Sequence, residues 1–163
     1  MPEKKPQHTI DLTVPSHPQF LCVTRAVIFQ VCHCMRFPEK FVNCIALAVE
    51  EAFTNIIKYS YGNDYKKKVV LVLNLYKDRL EIVLKDFGKK VDVKMIKPRA
   101  LEDVRPGGLG VYFIKKFMDE VTYDVSPEVG TELRLVKYLE KGGCACPGAG
   151  KAGAGGGKKK ERS

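Results

Sequence analysis

Apolar and polar residues alternate from His8 to Val14 (HTIDLTV), the two-residue period of a strand, until Pro15 and Pro18 interrupt the run. From Phe20 to Met35 the period lengthens to that of a helix, with Val23, Ala26, Val27, Phe29 and Val31 as its apolar positions. Phe37-Pro38-Glu39 reads as a break and a new start, with proline in the first turn and an acid beside it. The second helix is expected to run to about Tyr59, because Phe41, Ile45, Ala48, Ala52, Ile56 and Tyr59 lie near one stripe. Gly62-Asn63-Asp64 signals a turn. Two β-rich runs follow, Lys68 to Tyr76 and Arg79 to Lys85, joined as a short hairpin at Lys77-Asp78. Asp86 to Gly110 is polar and broken by Pro98, Pro106 and glycines, with room for only a short helix around Val91–Ile96. Val111 to Met118 reads as a helix. Val121 to Val125 and Thr131 to Tyr138 read as strands, separated by Pro127 and Gly130.

The resulting order is β-α-α-β-β-loop-α-β-β, with strands joined mainly by hairpins. It predicts an α+β layer fold, a mixed sheet covered on one face by helices, and excludes the alternating βαβ pattern of a dinucleotide-binding domain. Residues 1–7 form an N-terminal arm and 8–138 the folded domain. Residues 139–163, dominated by Gly, Ala and Lys, are expected to be a disordered tail. Composition sharpens this division. Eight of the 14 glycines fall in the last 25 residues, so the body has only Gly62, Gly88, Gly107, Gly108, Gly110 and Gly130. The tail also carries six Lys/Arg against two Glu, so +4 of the net +9 belongs to it and the body is only +5. The high charge is therefore a weak argument for nucleic-acid binding, whose basic face would need more than Lys66-Lys67-Lys68 and Lys89-Lys90. No apolar run reaches the roughly 20 residues of a membrane span. The polar start Met1-Pro2-Glu3-Lys4-Lys5-Pro6 has no apolar signal core behind it, so a cytoplasmic location with reduced thiols is expected.

Four groups of residues carry candidate chemistry. Glu51 and Asn55 are four apart and share one helix face. A carboxamide oxygen there can ligate Mg²⁺ while the carboxylate takes a proton, although spacing alone also suits a solvated helix surface. Asp86-Phe87-Gly88 follows a strand, where an acid can accept from an exocyclic amine and a glycine admits a close approach. A simple Asp-x-Gly turn has the same signature. Arg105-Pro106-Gly107-Gly108-Leu109-Gly110 opens a helix and holds half of the body glycines, an arrangement that presents free N–H groups to an anion. Gly130-Thr131 begins the last strand, where a hydroxyl can face a base or merely follow a turn.

In this order the four groups resemble the GHKL (histidine-kinase-like ATPase, Bergerat) fold of gyrase, histidine kinases and MutL, a two-layer α/β sandwich with a mixed, mostly antiparallel sheet. The resemblance covers about residues 8–138. It is nearer to the small bacterial anti-sigma-factor serine/threonine kinases of the RsbW and SpoIIAB kind. Leu47 to Asn55 looks like their N-box, Pro106 to Ile114 with Met118 to Val121 like their second glycine box and trailing helix, and Gly130 to Leu135 like their closing strand. The resemblance implies ATP and Mg²⁺ as cofactors, Glu51 as catalytic base and Asn55 as Mg²⁺ ligand. It further implies Asp86 at the adenine amine with Gly88 admitting the base, Gly108 and Gly110 at the phosphates within the Gly107–Gly110 box that includes Leu109, and Thr131 supporting the adenine contact. The loop from about Ile96 to Arg105 would be the ATP lid. The implied partners are a STAS-domain anti-anti-sigma protein, which receives the phosphate, and a sigma factor. A homodimer is common in the family, and neither a membrane nor direct nucleic-acid contact is implied.

The chain departs from that pattern in two places. Lys90 stands where the family commonly has the second glycine of its first box, and Lys58 where relatives often carry His. Lys58, Lys89 and Lys90 can reach phosphate as cations, or Lys58 can be a surface residue. These changes motivate an alternative, a catalytically weak nucleotide-binding module that acts by partner binding alone. Cys32-His33-Cys34 and Cys144-Ala145-Cys146 together offer four thiolates, although zinc sites usually space them Cys-x2-Cys. Cys22 and Cys44 suit core packing.

Overall fold

The computed structural model describes residues 5–92 and 109–139. Its strands are β1 (His8–Pro15), β2 (Lys68–Leu75), β3 (Arg79–Lys85), β4 (Glu120–Asp124) and β5 (Glu132–Tyr138). Its α-helices are α1 (Leu21–Cys34), α2 (Glu39–Asn55) and α3 (Leu109–Phe117). A short 3-10 turn, Pro18–Phe20, precedes α1, and a π-turn, Ile56–Ser60, extends α2.

The sheet runs β1-β2-β3-β5-β4, and every pairing among the described residues is antiparallel. The parallel pair of the expected mixed sheet is absent for a topological reason. β3 and β4 point the same way across the α3 crossover, but β5 returns between them and takes the hydrogen bonds of both. The expected two-layer α+β sandwich is otherwise the fold observed. Period-two patterning sends Val69, Leu71, Leu73, Leu80, Ile82, Leu84, Leu133 and Leu135 inward against the helices. The opposite face is polar and networked, with Glu81 accepting from Arg134 Nε at 2.6 Å and from Asn74 Nδ2 at 2.9 Å.

α2 is the central helix. Nine of its residues are buried, including Phe41, Ile45, Ala48 and Ala52 of the predicted stripe, because α1 and α3 pack on it and its buried residues share one core with the sheet. α1 differs from its expected register. Thr24, Ile28, Val31 and Cys32 face the core, while Val23 and Ala26 are exposed. The buried Thr24 hydroxyl is satisfied by the Phe20 and Leu21 carbonyls at 3.2 Å, so a polar residue occupies the core stripe at little cost. α1 ends in a Schellman-type stop: Phe37 N–H reaches Cys32 O at 2.9 Å and Arg36 N–H reaches His33 O at 2.9 Å. Arg36 takes the left-handed position with φ +62°.

Asp86–Lys90 and the described start of the long connection carry no regular element, and the short helix expected around Val91–Ile96 lies mostly outside the described residues. So do the tail, Cys144 and Cys146. Cys22 is exposed rather than packed, Cys44 is buried, and Cys32-x-Cys34 is split between core and surface. Cys22, Cys32 and Cys34 are free thiols, whereas Cys44 is disulfide-bonded, so reduced thiols hold for three of these four. None of the described helices is long and apolar enough to cross a membrane.

Candidate functional site

Glu51 and Asn55 lie one turn apart at the C-terminal half of α2. The adjacent acids have different surroundings. Glu50 pairs with Arg25 of α1 at 2.9 Å, whereas Glu51 makes no ion pair or hydrogen bond among the described residues. Gly110, in the first turn of α3, sits directly against this pair. A Cβ on Gly110 would lie 2.5 Å from Glu51 Oε2 and 3.5 Å from Asn55 Nδ2. With glycine here the start of α3 lies directly on the end of the Glu51 side chain, which would have to swing aside for any larger residue.

The π-turn decides what continues this face. In an α-helix the residue stacked beyond Asn55 would be Tyr59, four residues on. The π-turn uses i→i+5 bonds, as in Tyr61 N–H to Ile56 O at 3.0 Å, and so brings Ser60 to that face instead. Tyr59, expected on the core stripe, is therefore 65% exposed, and Ser60 is 8% exposed. Glu51, Asn55 and Ser60 form one line.

Asp86 meets that line from the end of β3. It is 4% exposed. Its Oδ1 accepts from Ser60 Oγ and from Gly88 N at 2.9 Å. Its own N–H donates to Thr131 O at 3.1 Å. No hydrogen bond among the described residues reaches Oδ2. Thr131 is also buried, and its hydroxyl accepts from Val91 N at 3.3 Å. The close approach that Gly88 permits is to the chain itself: a Cβ there would lie 2.5 Å from Ser60 Oγ and 2.7 Å from the Tyr61 ring. Tyr61 donates to Lys68 O at 2.5 Å and accepts from Phe87 N at 2.9 Å. Burial pushes the Tyr61 hydroxyl pKa up, against the opposing effect of the Phe87 N–H and with help from the nearby Asp86 charge.

The structure thus brings together Glu51, Asn55 and Gly110 at one end of the line and Asp86, Gly88 and Thr131 at the other. Leu109 begins α3 and is partly exposed, while Gly107, Gly108 and the expected lid from Ile96 to Arg105 lie outside the described residues. Lys58 is exposed on the π-turn, with no hydrogen bond or ion pair among the described residues. Lys90, a candidate phosphate cation, instead donates to the Val125 carbonyl at 3.1 Å, tying the segment after Asp86 to the β4–β5 connection. Ser60 and Tyr61 were not singled out from the sequence. A serine and a tyrosine at a helix end have many ordinary uses, and the change of hydrogen-bond register that recruits them leaves no trace in the hydrophobic period.

This geometry has definite chemical capacities. A buried carboxylate whose Oδ2 accepts no hydrogen bond among the described residues suits a donated N–H. A carboxylate and a carboxamide one turn apart present hard oxygen donors suited to Mg²⁺.

Residues 14–137 match the family described as the histidine kinase-like ATPase domain. The chain is 27% identical to the serine-protein kinase RsbW of Oceanobacillus iheyensis over 138 residues, 80% of this chain and 86% of that protein. It is 28% identical to the serine-protein kinase RsbW of Halalkalibacterium halodurans over 141 residues, 82% of this chain and 85% of that one. Among solved structures, that of the RsbU and RsbW domains of Rv1364c from Mycobacterium tuberculosis is similar with a TM-score of 0.59 and 15% identity, over 82% of this chain. This chain spans 32% of that longer chain, and the likeness is one of fold. With a family match running over most of its length, and with serine-protein kinases among its relatives, the chain belongs to the histidine kinase-like ATPase domain family.

Proposed function

We propose that the chain is a cytoplasmic anti-sigma-type protein kinase. It takes ATP with Mg²⁺, phosphorylates a serine or threonine of a STAS-domain anti-anti-sigma partner, and sequesters a sigma factor. The observation that carries this reading is Glu51: a carboxylate with no partner among the described residues, held beside the start of α3 and one turn from Asn55.

The residues present fit the nucleotide and its metal. Asp86 Oδ2 would accept the adenine amine, with Thr131 fixing the Asp86 backbone from the opposite strand. The Asn55 carboxamide oxygen would hold Mg²⁺. Gly110, with Gly107, Gly108 and Leu109, would bring backbone N–H groups to the phosphates. Bound Mg²⁺ supplies charge neutralisation for the phosphoryl group in transit. Glu51 is the base: it removes the proton from the acceptor hydroxyl as that oxygen forms its bond to phosphorus and the bond to the ADP oxygen breaks. Glu50 does not compete for this role, because Arg25 already occupies it.

The test is transfer of label from γ-labelled ATP to a STAS-domain protein. Wild type is expected to label it, and Glu51→Ala to transfer about 10²–10⁴-fold more slowly with ATP binding retained. Equal transfer by Glu51→Ala would overturn the assignment. One observation favours the alternative of a catalytically weak binding module: Lys90 occupies the second-glycine position and is tied to Val125. That reading predicts ATP binding without turnover in the wild type.

A further inference from the structure

We propose that Ser60 is a positioning residue that makes the site select a 6-aminopurine over a 6-oxopurine. The inference rests on the nucleotide reading above and deepens it. A carboxylate alone does not define which of its oxygens meets a ligand, because it can turn about its terminal torsion. Here Ser60 Oγ and Gly88 N both donate to Asp86 Oδ1. Oδ1 is thereby committed, and Oδ2 is left as the acceptor for an exocyclic amine. A 6-oxo group in the same place would set a lone pair against that oxygen, with no donor between them.

Three further contacts make Ser60 and the Asp86 segment one unit. Lys89 N–H donates to Ser60 O at 3.0 Å. Ser60 Oγ lies 3.2 Å from Lys89 O. Any side chain at position 88 would strike Ser60 Oγ. The π-turn supplies the placement, since α-helical continuation would set Tyr59 on this face. Ser60 acts through Asp86 and touches no reacting atom.

The test measures affinities for ATP and inosine triphosphate, with Mg²⁺, in wild type and Ser60→Ala. Wild type is expected to prefer ATP by at least about tenfold, the scale of a hydrogen bond to a charged group. In Ser60→Ala the carboxylate loses one of its two fixed donors. ATP affinity is expected to fall about tenfold with inosine triphosphate affinity unchanged, so the preference narrows. Equal loss for both nucleotides would reduce Ser60 to a structural role and overturn the inference, as would an unchanged preference. If wild type binds both alike, the selectivity claim fails while the nucleotide reading stands. If it binds neither, the nucleotide reading fails as well. Should Ser60→Ala not fold, Ser60→Cys, nearly isosteric with a weaker donor, takes its place and is expected to narrow the preference in the same direction.

Discussion

Gly130 holds φ at +78° with its Cα against the Asp86 backbone, where a Cβ would lie 2.6 Å from the Asp86 carbonyl carbon and 2.9 Å from Phe87 Cα. Both the backbone conformation and the contact exclude a side chain. Gly130→Ala is therefore expected to destabilise the fold by about 2 kcal/mol in urea unfolding. The sequence marks Gly130 as a turn before a strand, but the collision with Asp86 depends on β3–β5 pairing and is not readable from either segment alone. Cys32 makes a second test at this scale. Burial pushes its thiol from the ordinary 9.0 up to about 12. Thiolate is the reactive form, so at pH 8 exposed Cys22 and Cys34 should alkylate while Cys32 stays protected, read by peptide mapping. The unfolded thiol releases its proton first, so the stability associated with neutral Cys32 is complete below pH 9 and lost as pH rises toward 12. Cys32→Ala should flatten that alkaline fall.

Elements differed in how openly the sequence declared them. α2 was legible because its apolar stripe is long, and β2 and β3 because a two-residue connection joins two strongly apolar runs. α1 is legible as a helix, and Val27, Phe29 and Val31 of its expected stripe meet the core, but the buried face is centred on Thr24, Ile28 and Cys32 and leaves Val23 and Ala26 exposed. The π-turn was invisible, yet it changes which residue completes the line from Glu51 through Asn55. The corner joining α3, β4 and β5 hides another feature. Lys137 is 2% exposed, with its ammonium 3.2 Å from Asp119 Oδ1 and 5.0 Å from the Phe41 ring centroid. Asp119 also accepts Tyr138 N–H at 2.8 Å through Oδ2, so both of its oxygens hold the end of β5. Asp119→Ala should cost about 3 kcal/mol in denaturant unfolding, because it strands a buried ammonium. Lys137→Met should cost less.

At the scale of the whole molecule, chain order becomes proximity through one topological fact. β3 ends, β5 begins, and the described part of α3 begins near the C-terminal end of α2, so segments far apart in sequence converge there. The order of the motifs was legible in the sequence for this reason, and the β-α-α-β-β-loop-α-β-β pattern predicted the layers. The insertion of β5 between β3 and β4 was not, because hairpin and crossover connections leave similar local signals. In the proposed function this convergence binds ATP, with Asp86 as the amine acceptor. Calorimetric titration of ATP with Mg²⁺ into wild type and Asp86→Asn tests it most directly. Saturable binding by wild type, weakened at least about tenfold in Asp86→Asn, is the predicted result. Equal affinity in the two proteins, or no binding by wild type, would contradict it.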